Sequence, residues 1–446
     1  MTRISVFGLG HVGLVTAACF AKKGHEVVGI DPDVARLGQI GKDEVPFFEP
    51  KLADYLKEAT GKGMLRLSAD ASANTGSDVA YIAVGTPSNQ EAAIDLTYVR
   101  KAAADIGRSL RLAKHQQLVV VKSTVTPGTA RRVVKPAIEK ESGRKCGEGF
   151  WLCSNPEFLR EGHAIEDTER PDRIVIGSDH TDAIDSLSNF YVDFHERGPP
   201  PIIKTSHENA ELIKYASNAF LATKISFINT IANIAERIQN ADVTTIAKGM
   251  GLDARIAPRF LDAGLGYGGS CFPKDVSALV ATCCEFGYTP QLLEATMEVN
   301  RTQPLKAVEF AKQNLGSLVN KSIAVLGLAF KPHTDDMRDA VSIPIINTLL
   351  QGGAQVFACD PAATENARQI FGARIHYSTD ARDALAGAEL AIIVTEWDEF
   401  KRIRPEEFRS LMKTPRVFDG RRIYNPKEMI QAGIIYDAIG LGKPVT

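Results

Sequence analysis

The chain has 446 residues, too many for one hydrophobic core, so two or three domains are expected. Hydrophobic residues make up 44% and charged residues 24%, an ordinary globular balance. With 52 Lys and Arg against 54 Asp and Glu, the net charge of -2 points to neither a nucleic-acid nor an anionic-membrane partner. In chain order, the first 178 residues alternate short apolar runs with helical patterns. Strands are expected at residues 4–7, 26–30, 78–84, 117–122, 151–154 and 173–176, each rich in Val and Ile and ending near Gly, Pro or Asn. That is the pattern of buried parallel strands, and its alternation with helices predicts a doubly wound α/β domain. Residues 4–21, preceded by Arg3, imitate a secretory signal, but a ligand-binding turn accounts better for the glycines and His11 within the run.

After Pro199-Pro200-Pro201 the texture changes. Residues 202–248 contain no Gly or Pro, in a chain with 36 Gly and 22 Pro. This predicts one helix over roughly 207–240, about 50 Å long at about 1.5 Å per residue, followed by another. Two helices with a polar break are the alternative. One long helix can join two domains and offer a dimerisation surface. From Lys321 the α/β pattern resumes, with strands expected at 322–326, 355–358, 389–395 and 415–418. Val27-Val28-Gly29-Ile30-Asp31-Pro32 is echoed by Val356-Phe357-Ala358-Cys359-Asp360-Pro361, a weak internal repeat. Gly327 is followed by Leu328-Ala329-Phe330-Lys331 without further spaced glycines, so the second unit is expected to bind something other than a dinucleotide pyrophosphate.

Gly8-Leu9-Gly10-His11-Val12-Gly13 follows the first strand and opens a helix. In this pattern the first glycine makes a tight turn, the second lets the backbone approach a pyrophosphate, and the third packs helix on sheet. Asp31 ends the second strand, where an acid accepts hydrogen bonds from the adenosine ribose and repels a 2′-phosphate. NAD is therefore expected over NADP, with Arg36 the residue that could reverse the preference. Val84-Gly85-Thr86-Pro87 and Lys122-Ser123-Thr124-Val125 place hydroxyls past two more strands, where turns and caps are the ordinary explanation.

The seven cysteines, at 19, 146, 153, 271, 283, 284 and 359, form no CxxC pair and are odd in number. Neither a metal site nor a disulfide framework is expected, and a reducing cytosol fits. Cys271 stands apart. It closes Gly264-Leu265-Gly266-Tyr267-Gly268-Gly269-Ser270, read as a mobile loop, and Lys274 and Asp275 follow it. A nearby cation favours the nucleophilic thiolate. His207, Glu211, Lys214 and Asn218, spaced 4, 3 and 4 apart, share one helix face. Asn155-Pro156-Glu157-Phe158-Leu159-Arg160-Glu161-Gly162 comes after the fifth strand. A solvated face and a capped turn are the plain readings of these last two.

Taken together, the GxGxxG start, the NPEFLREG stretch, the Lys214/Asn218 helix, the GYGGSCFPKD loop, Phe330-Lys331-Pro332 with Arg338, and Asp419-Gly420-Arg421-Arg422 resemble the UDP-glucose/GDP-mannose dehydrogenase family. The six motifs run in the same order over nearly the whole chain. His11 stands where the family often has Tyr, and Pro127 follows Thr124 one place later than usual. The resemblance implies an α/β fold of two Rossmann-like doubly wound domains joined by a long central helix. Residues 1–203 would bind NAD, 204–304 would link and dimerise, and 317–446 would bind the nucleotide sugar. Cys271 would be the nucleophile. Lys214, Asn218 and Asp275 would hold the reacting oxygen and a water, and Glu157 would be the general acid/base with Thr124 nearby. Gly8, Gly10, His11, Val12, Gly13, Asp31, Arg36, Thr86, Thr124, Glu161, Lys274 and Arg338 would line the NAD site. Glu157, Phe158, Leu159, Lys214, Asn218, Arg255, Tyr267, Gly268, Phe330, Lys331 and Arg421 would hold the substrate, Arg255 reaching across from a partner subunit of a homodimer.

The implied chemistry is NAD-dependent four-electron oxidation of a nucleotide sugar's C6 alcohol to a carboxylate, UDP-glucose to UDP-glucuronate. Such an oxidation needs two hydride transfers, so the aldehyde must be held. A cysteine can do this as thiohemiacetal and then thioester. Hydrolysis needs a base such as Glu157, and the developing alkoxide needs partners such as Lys214 and Asn218. GDP-mannose or a UDP-N-acetylhexosamine remains open as substrate. So do a single-hydride alcohol or hydroxyacid dehydrogenase with Lys214 as base, and a non-catalytic NAD-binding protein.

Overall fold

The computed structural model describes residues 1–89, 93–113, 115–196 and 198–443. The chain divides into two units, Met1–Ser217 and Asn218–Thr446, and the division falls inside one long helix, His207–Ala235. In the first unit lie β1 (Arg3–Phe7), β2 (Glu26–Ile30), β3 (Leu65–Ser68), β4 (Val79–Ile82), β5 (Gln117–Val121), β6 (Phe150–Ser154), β7 (Ile174–Gly177) and β8 (Ile202–Thr205). They form one sheet in the order β3-β2-β1-β4-β5-β6-β7-β8. The second unit carries β9 (Ser322–Leu326), β10 (Gln355–Cys359), β11 (His376–Ser378), β12 (Leu390–Ile393), β13 (Arg416–Asp419) and β14 (Ile435–Ala438). Their order is β11-β10-β9-β12-β13-β14, and every pair is parallel.

The first six strands of each unit thus repeat the order 3-2-1-4-5-6, the doubly wound arrangement. The faint Asp-Pro echo marks the end of the second strand in each. β1, β4 and β5 are buried along nearly their whole length, as are β9 and β12. Their Val and Ile side chains meet helices on both faces, as in Val6, Val119, Val120, Val325 and Ile392. Both halves therefore have their strand carboxyl ends free for ligands where the order reverses, after β1 and β4 and after β9 and β12.

Three expectations need correction. The four strands β3, β8, β11 and β14 went unpredicted, and all four are sheet edges with partly exposed residues. An edge strand is not covered as a central one is, so it lacks the continuous apolar run that marks one. The strand at 173–176 is not parallel to its neighbour: β7 meets β6 antiparallel through the single pair Ser154↔Gly177, and β8 then runs parallel to β7. The helix expected to reach residue 240 stops at Ala235, and the next one, Val243–Gly251, is capped by the Asp242 side chain on the Thr244 N–H. Asn240 takes a positive φ of 59° between them, which a helix cannot. Among the described residues no helix is long and apolar enough to cross a membrane.

Candidate active site

The glycine turn after β1 has the geometry its motif requires. Gly8 adopts φ +90° and donates its N–H to Ile30 O of β2 at 2.8 Å. A Cβ on Gly13 would lie 1.8 Å from Gly8 O, so only glycine lets the helix His11–Lys22 approach the turn. A Cβ on Gly10 would meet nothing within 4 Å, leaving that face of the backbone open to a ligand. Asp31 is buried and accepts the Leu9 N–H at 2.7 Å and the Asp33 N–H at 3.0 Å. Arg36 Nη1 lies 3.3 Å from the same carboxylate and Nη2 3.8 Å from Asp33, so the guanidinium is engaged by two acids. The cradle fits a dinucleotide whose ribose is unphosphorylated. His11 stacks on Phe47 with centroids 4.5 Å apart, and its Nε2 is 3.0 Å from Glu49. Val12 packs against the first unit's core. After β4, the Thr86 hydroxyl donates to the carbonyl of Thr124 at 2.9 Å, linking two of the expected cofactor residues.

Past β6, Glu157 and the long helix meet. Lys214 Nζ is 2.9 Å from Glu157 Oε1, with both side chains almost wholly buried. Burial alone would push the Glu157 carboxyl up. The Lys214 ammonium and the Leu159 N–H, 2.5 Å from Oε2, outweigh it and hold the acid below its ordinary range. Glu157 is thus ionised at neutral pH and able to accept a proton. Two cations lie over the Phe158 ring, the Arg173 guanidinium 3.8 Å and Lys214 Nζ 5.5 Å from its centroid. Glu161 sits in the same loop, partly buried. A third cation joins this region. Lys122, at the end of β5, is 3.3 Å from Asn155 Oδ1, which Tyr191 OH also reaches at 2.6 Å. Burial pulls Lys122 down to about 8, against the opposing influence of Glu157.

In the second unit, Cys271 occupies the N-cap position of the helix Phe272–Glu285 without a side-chain capping bond. That position favours a thiolate. One turn on, the buried Asp275 accepts from Lys274 Nζ at 2.5 Å and from Asn218 Nδ2 at 2.6 Å. The loop before Cys271 is not the mobile segment expected: residues 264–269 are buried. Its glycines are steric necessities. A Cβ on Gly268 would lie 2.3 Å from Asp339 O, and one on Gly269, at φ +86°, would lie 2.8 Å from the Phe330 ring. Tyr267 is clamped from both sides, its N–H donating to Asn300 Oδ1 at 2.8 Å and its carbonyl accepting Asn300 Nδ2 at 2.9 Å. Gly269 N–H donates to the carbonyl of Arg338, so Phe330, Arg338 and the Cys271 loop form one packed group. Lys331 Nζ is 5.4 Å from the Phe330 ring centroid. The Arg338 guanidinium forms a forked pair with Asp336. Arg421 Nε donates to Val394 O at 2.7 Å, and a Cβ on Gly264 would lie 2.9 Å from Arg421 Nη1, so it too borders the loop. Arg255 is elsewhere: it is 89% exposed and folds back on Asp253. The corresponding turn after β9 repeats that after β1. Gly327 N–H donates to Cys359 O at 2.9 Å, and Leu328 N–H donates to Asp360 at 2.7 Å. Asp360 also receives the N–H groups of Ala329, Ala362 and Ala363 and the Trp397 indole.

Sequence reasoning gave no role to Lys122, Arg173, Asn155 and Tyr191, although Lys122 and Asn155 stood inside stretches it singled out. Only Lys122 left a signal, a charge closing an otherwise apolar strand. Three family models match successive stretches of the chain. The NAD binding domain model of the UDP-glucose/GDP-mannose dehydrogenase family matches residues 2–195, the central domain model 208–302 and the UDP binding domain model 324–426. The UDP-glucose 6-dehydrogenase TuaD of Bacillus subtilis is 44% identical over 441 residues, 99% of this chain and 93% of the relative. The UDP-glucose 6-dehydrogenase AglM of Haloferax volcanii is 42% identical, covering 98% of this chain and 99% of the relative. A UDP-glucose dehydrogenase structure from Pyrobaculum islandicum superposes with a TM-score of 0.91 at 38% identity, over 99% of this chain and 98% of that one. With its two doubly wound units and these full-length matches, the chain belongs to the UDP-glucose/GDP-mannose dehydrogenase family of NAD-dependent dehydrogenases.

Proposed function

We propose that this enzyme oxidises the C6 alcohol of UDP-glucose to the carboxylate of UDP-glucuronate, with Cys271 as covalent relay. The observation that carries the chemistry is Cys271 at the N-terminus of a 14-residue helix, one turn from a buried Asp275 that binds both Lys274 and Asn218. The choice of sugar rests on the relatives, several of which are named UDP-glucose 6-dehydrogenases. Gly8, Gly10, His11, Val12, Gly13, Asp31, Arg36, Thr86, Thr124, Glu161, Lys274 and Arg338 hold NAD. Bound NAD supplies a hydride acceptor, one hydride per molecule, so the alcohol-to-acid conversion uses two.

The chain's own residues do the rest. Lys214, Asn218 and Asp275 hold the reacting oxygen and a water; the alcohol passes its proton to that water, and Lys214 and Asn218 stabilise the alkoxide that forms. The Cys271 thiolate adds to the aldehyde carbon and retains it as a thiohemiacetal, which becomes a thioester on the second oxidation. Glu157, ionised, takes a proton from water as it attacks the thioester carbonyl, and the thiolate leaves. Phe158, Leu159, Tyr267, Gly268, Phe330, Lys331 and Arg421 bind the nucleotide sugar, with residues 1–203 and 317–446 as the two nucleotide domains and 204–304 between them. The cytoplasm is its compartment, supported by seven cysteines with no disulfide. The working form is a homodimer in which Arg255 reaches the partner's substrate. Its support is a stripe on the long helix: Phe220, Phe227 and Ile234, seven residues apart, are 65%, 50% and 49% exposed. The deciding experiment gives the pure protein UDP-glucose, GDP-mannose and UDP-N-acetylhexosamines in turn, with NAD. About two NADH per UDP-glucose consumed is the expected result. A single NADH, with an aldehyde as product, would restore the simple alcohol dehydrogenase reading.

A further inference from the structure

The mechanism leaves two members of the long helix's polar face unused, His207 and Glu211. Both are buried, as is Ser154 at the end of β6. Glu211 Oε2 accepts the Gly128 N–H at 2.5 Å, and Oε1 accepts the Ala130 N–H at 2.9 Å. These amides open the helical turn Ala130–Val134, and a helix start leaves such donors unpaired unless a side chain meets them. The Ser154 hydroxyl lies 3.3 Å from Glu211 Oε1 and 2.9 Å from His207 Nδ1.

One buried cluster therefore ties three elements together, and each carries a residue of the proposed reaction. The turn after β5 starts with Thr124, the end of β6 leads in three residues to Glu157, and the helix presents Lys214 one turn beyond Glu211. Glu211 and Lys214 also line one small cavity with Ser123, Ser154 and Pro156. We infer that Glu211 is a positioning residue that holds the 124–130 turn against the Lys214 turn of the helix; this rests on the reading that Thr124, Glu157 and Lys214 serve the oxidation. Ordinary capping would stabilise the fold and leave the chemistry alone. Here the same two bonds set where Thr124 stands relative to Lys214.

The clamp is sensitive to pH. Burial raises the Glu211 carboxyl to about 7, against the pull of the Ala130 and Gly128 amides and the Ser154 hydroxyl. Burial draws His207 down to about 4, so its ring is neutral. The charged groups around the cluster are Glu208 and Lys214 on the same helix, Arg131 and Lys135 after the turn, and Asp179 after β7. With Glu211 ionised, Ser154 donates to it and accepts from His207 Nδ1–H. With Glu211 protonated, its O–H can turn on Ser154, which then donates to a bare His207 Nδ1. The neutral acid is the weaker acceptor for two amides, so the turn loosens as pH falls through the Glu211 value.

The test uses the full-length enzyme and two readouts: kinetics with UDP-glucose and NAD, and hydrogen exchange of residues 126–131, which needs no substrate. Glu211→Gln keeps the shape but sets amide hydrogens against a backbone N–H. Its kcat is expected to fall on the order of 10²-fold, and KM for NAD to rise with it, because Thr124 also belongs to the NAD site. Exchange at 126–131 is expected to quicken roughly tenfold. Ser154→Ala removes a hydroxyl that favours the ionised acid, so the acid limb of kcat moves to higher pH. Unchanged exchange in folded Glu211→Gln overturns the inference whatever the substrate. Unchanged kcat and an unmoved acid limb, in an enzyme that does turn over UDP-glucose, overturn it and leave the proposed function standing. Should Glu211→Gln not fold, the acid limb of Ser154→Ala decides.

Discussion

Glu157→Gln removes a charge while keeping the side chain's shape, and the surroundings of that side chain set the cost. Lys214 Nζ sits 2.9 Å from the carboxylate, the two side chains being 4% and 6% exposed, so solvent screens the pair very little. Removing one partner of a buried pair leaves an uncompensated charge, a loss of about 3–5 kcal/mol. Lys122 nearby aggravates it with a second positive charge. At roughly 2–4 °C per kcal/mol for a unit of this size, the lower bound already predicts a Tm drop of about 6–12 °C at pH 7. The drop depends on pH. Because the folded state holds the Glu157 carboxyl below its ordinary 4.5, the pair's contribution is complete above that value and lost as pH falls through the lower, folded one. The gap between parent and variant should therefore close on acidification below pH 4.5, as scanning calorimetry across pH can follow. Chemically, losing the base costs about 10²–10⁴-fold in the hydrolytic step. Mixed with UDP-glucose and NAD, the variant should release about two NADH per active site in a burst and then stall. Mass spectrometry of the denatured protein should find the sugar nucleotide on the Cys271 peptide. A parental Tm at pH 7 would refute the electrostatic argument, and a stalled enzyme without adduct would remove Glu157 from the hydrolysis.

Cys271→Ala should show no adduct and no second hydride in that assay; full activity would end the covalent mechanism. Asp31→Ser should narrow the preference for NAD over NADP, since it removes the acid that Arg36 now pairs with, and equal kcat/KM for both cofactors in the parent would show that Asp31 does not set it. Gly13→Ala should abolish NAD binding by calorimetry, because its Cβ falls 1.8 Å from Gly8 O; near-normal affinity would mean the turn gives way easily. Phe227→Glu on the exposed helix stripe should shift the mass measured in solution toward monomer and cut activity with it, whereas a fully active monomer would exclude a shared site.

The two doubly wound units could be seen in the sequence because their central strands are buried on both faces and read as unbroken Val and Ile runs. β3, β8, β11 and β14 could not, because edges carry half-polar patterns such as Leu65-Arg66-Leu67-Ser68. Cys271, Lys214 and Glu157 were visible through motif order. Their neighbours in space were not. The Glu157–Lys214 pair joins positions 57 residues apart in sequence, and no period or local pattern encodes it. The glycines before Cys271 were visible, but their reason was misread: Phe330 and Asp339 press on Gly269 and Gly268 from about sixty and seventy residues away. The helix end at Ala235 was missed because a five-residue turn of ordinary helix formers, Glu236 to Asn240, carries no Gly or Pro to announce it.

The twin turns after β1 and β9 differ in one respect that bears on ligand choice. A carboxylate has about four lone-pair directions to offer. Asp31 commits its oxygens to Leu9, Asp33 and a surface Arg36 that can swing aside, so it retains capacity for a sugar diol. Asp360 is surrounded by Leu328, Ala329, Ala362, Ala363 and the Trp397 indole, more donors than it has lone pairs. The same acid at the same topological station is a reader in one half and a filled keystone in the other. Restoring a ribose reader to the second half would require relieving Asp360 of at least two of these five donors, the Trp397 indole being the one that a side-chain replacement removes.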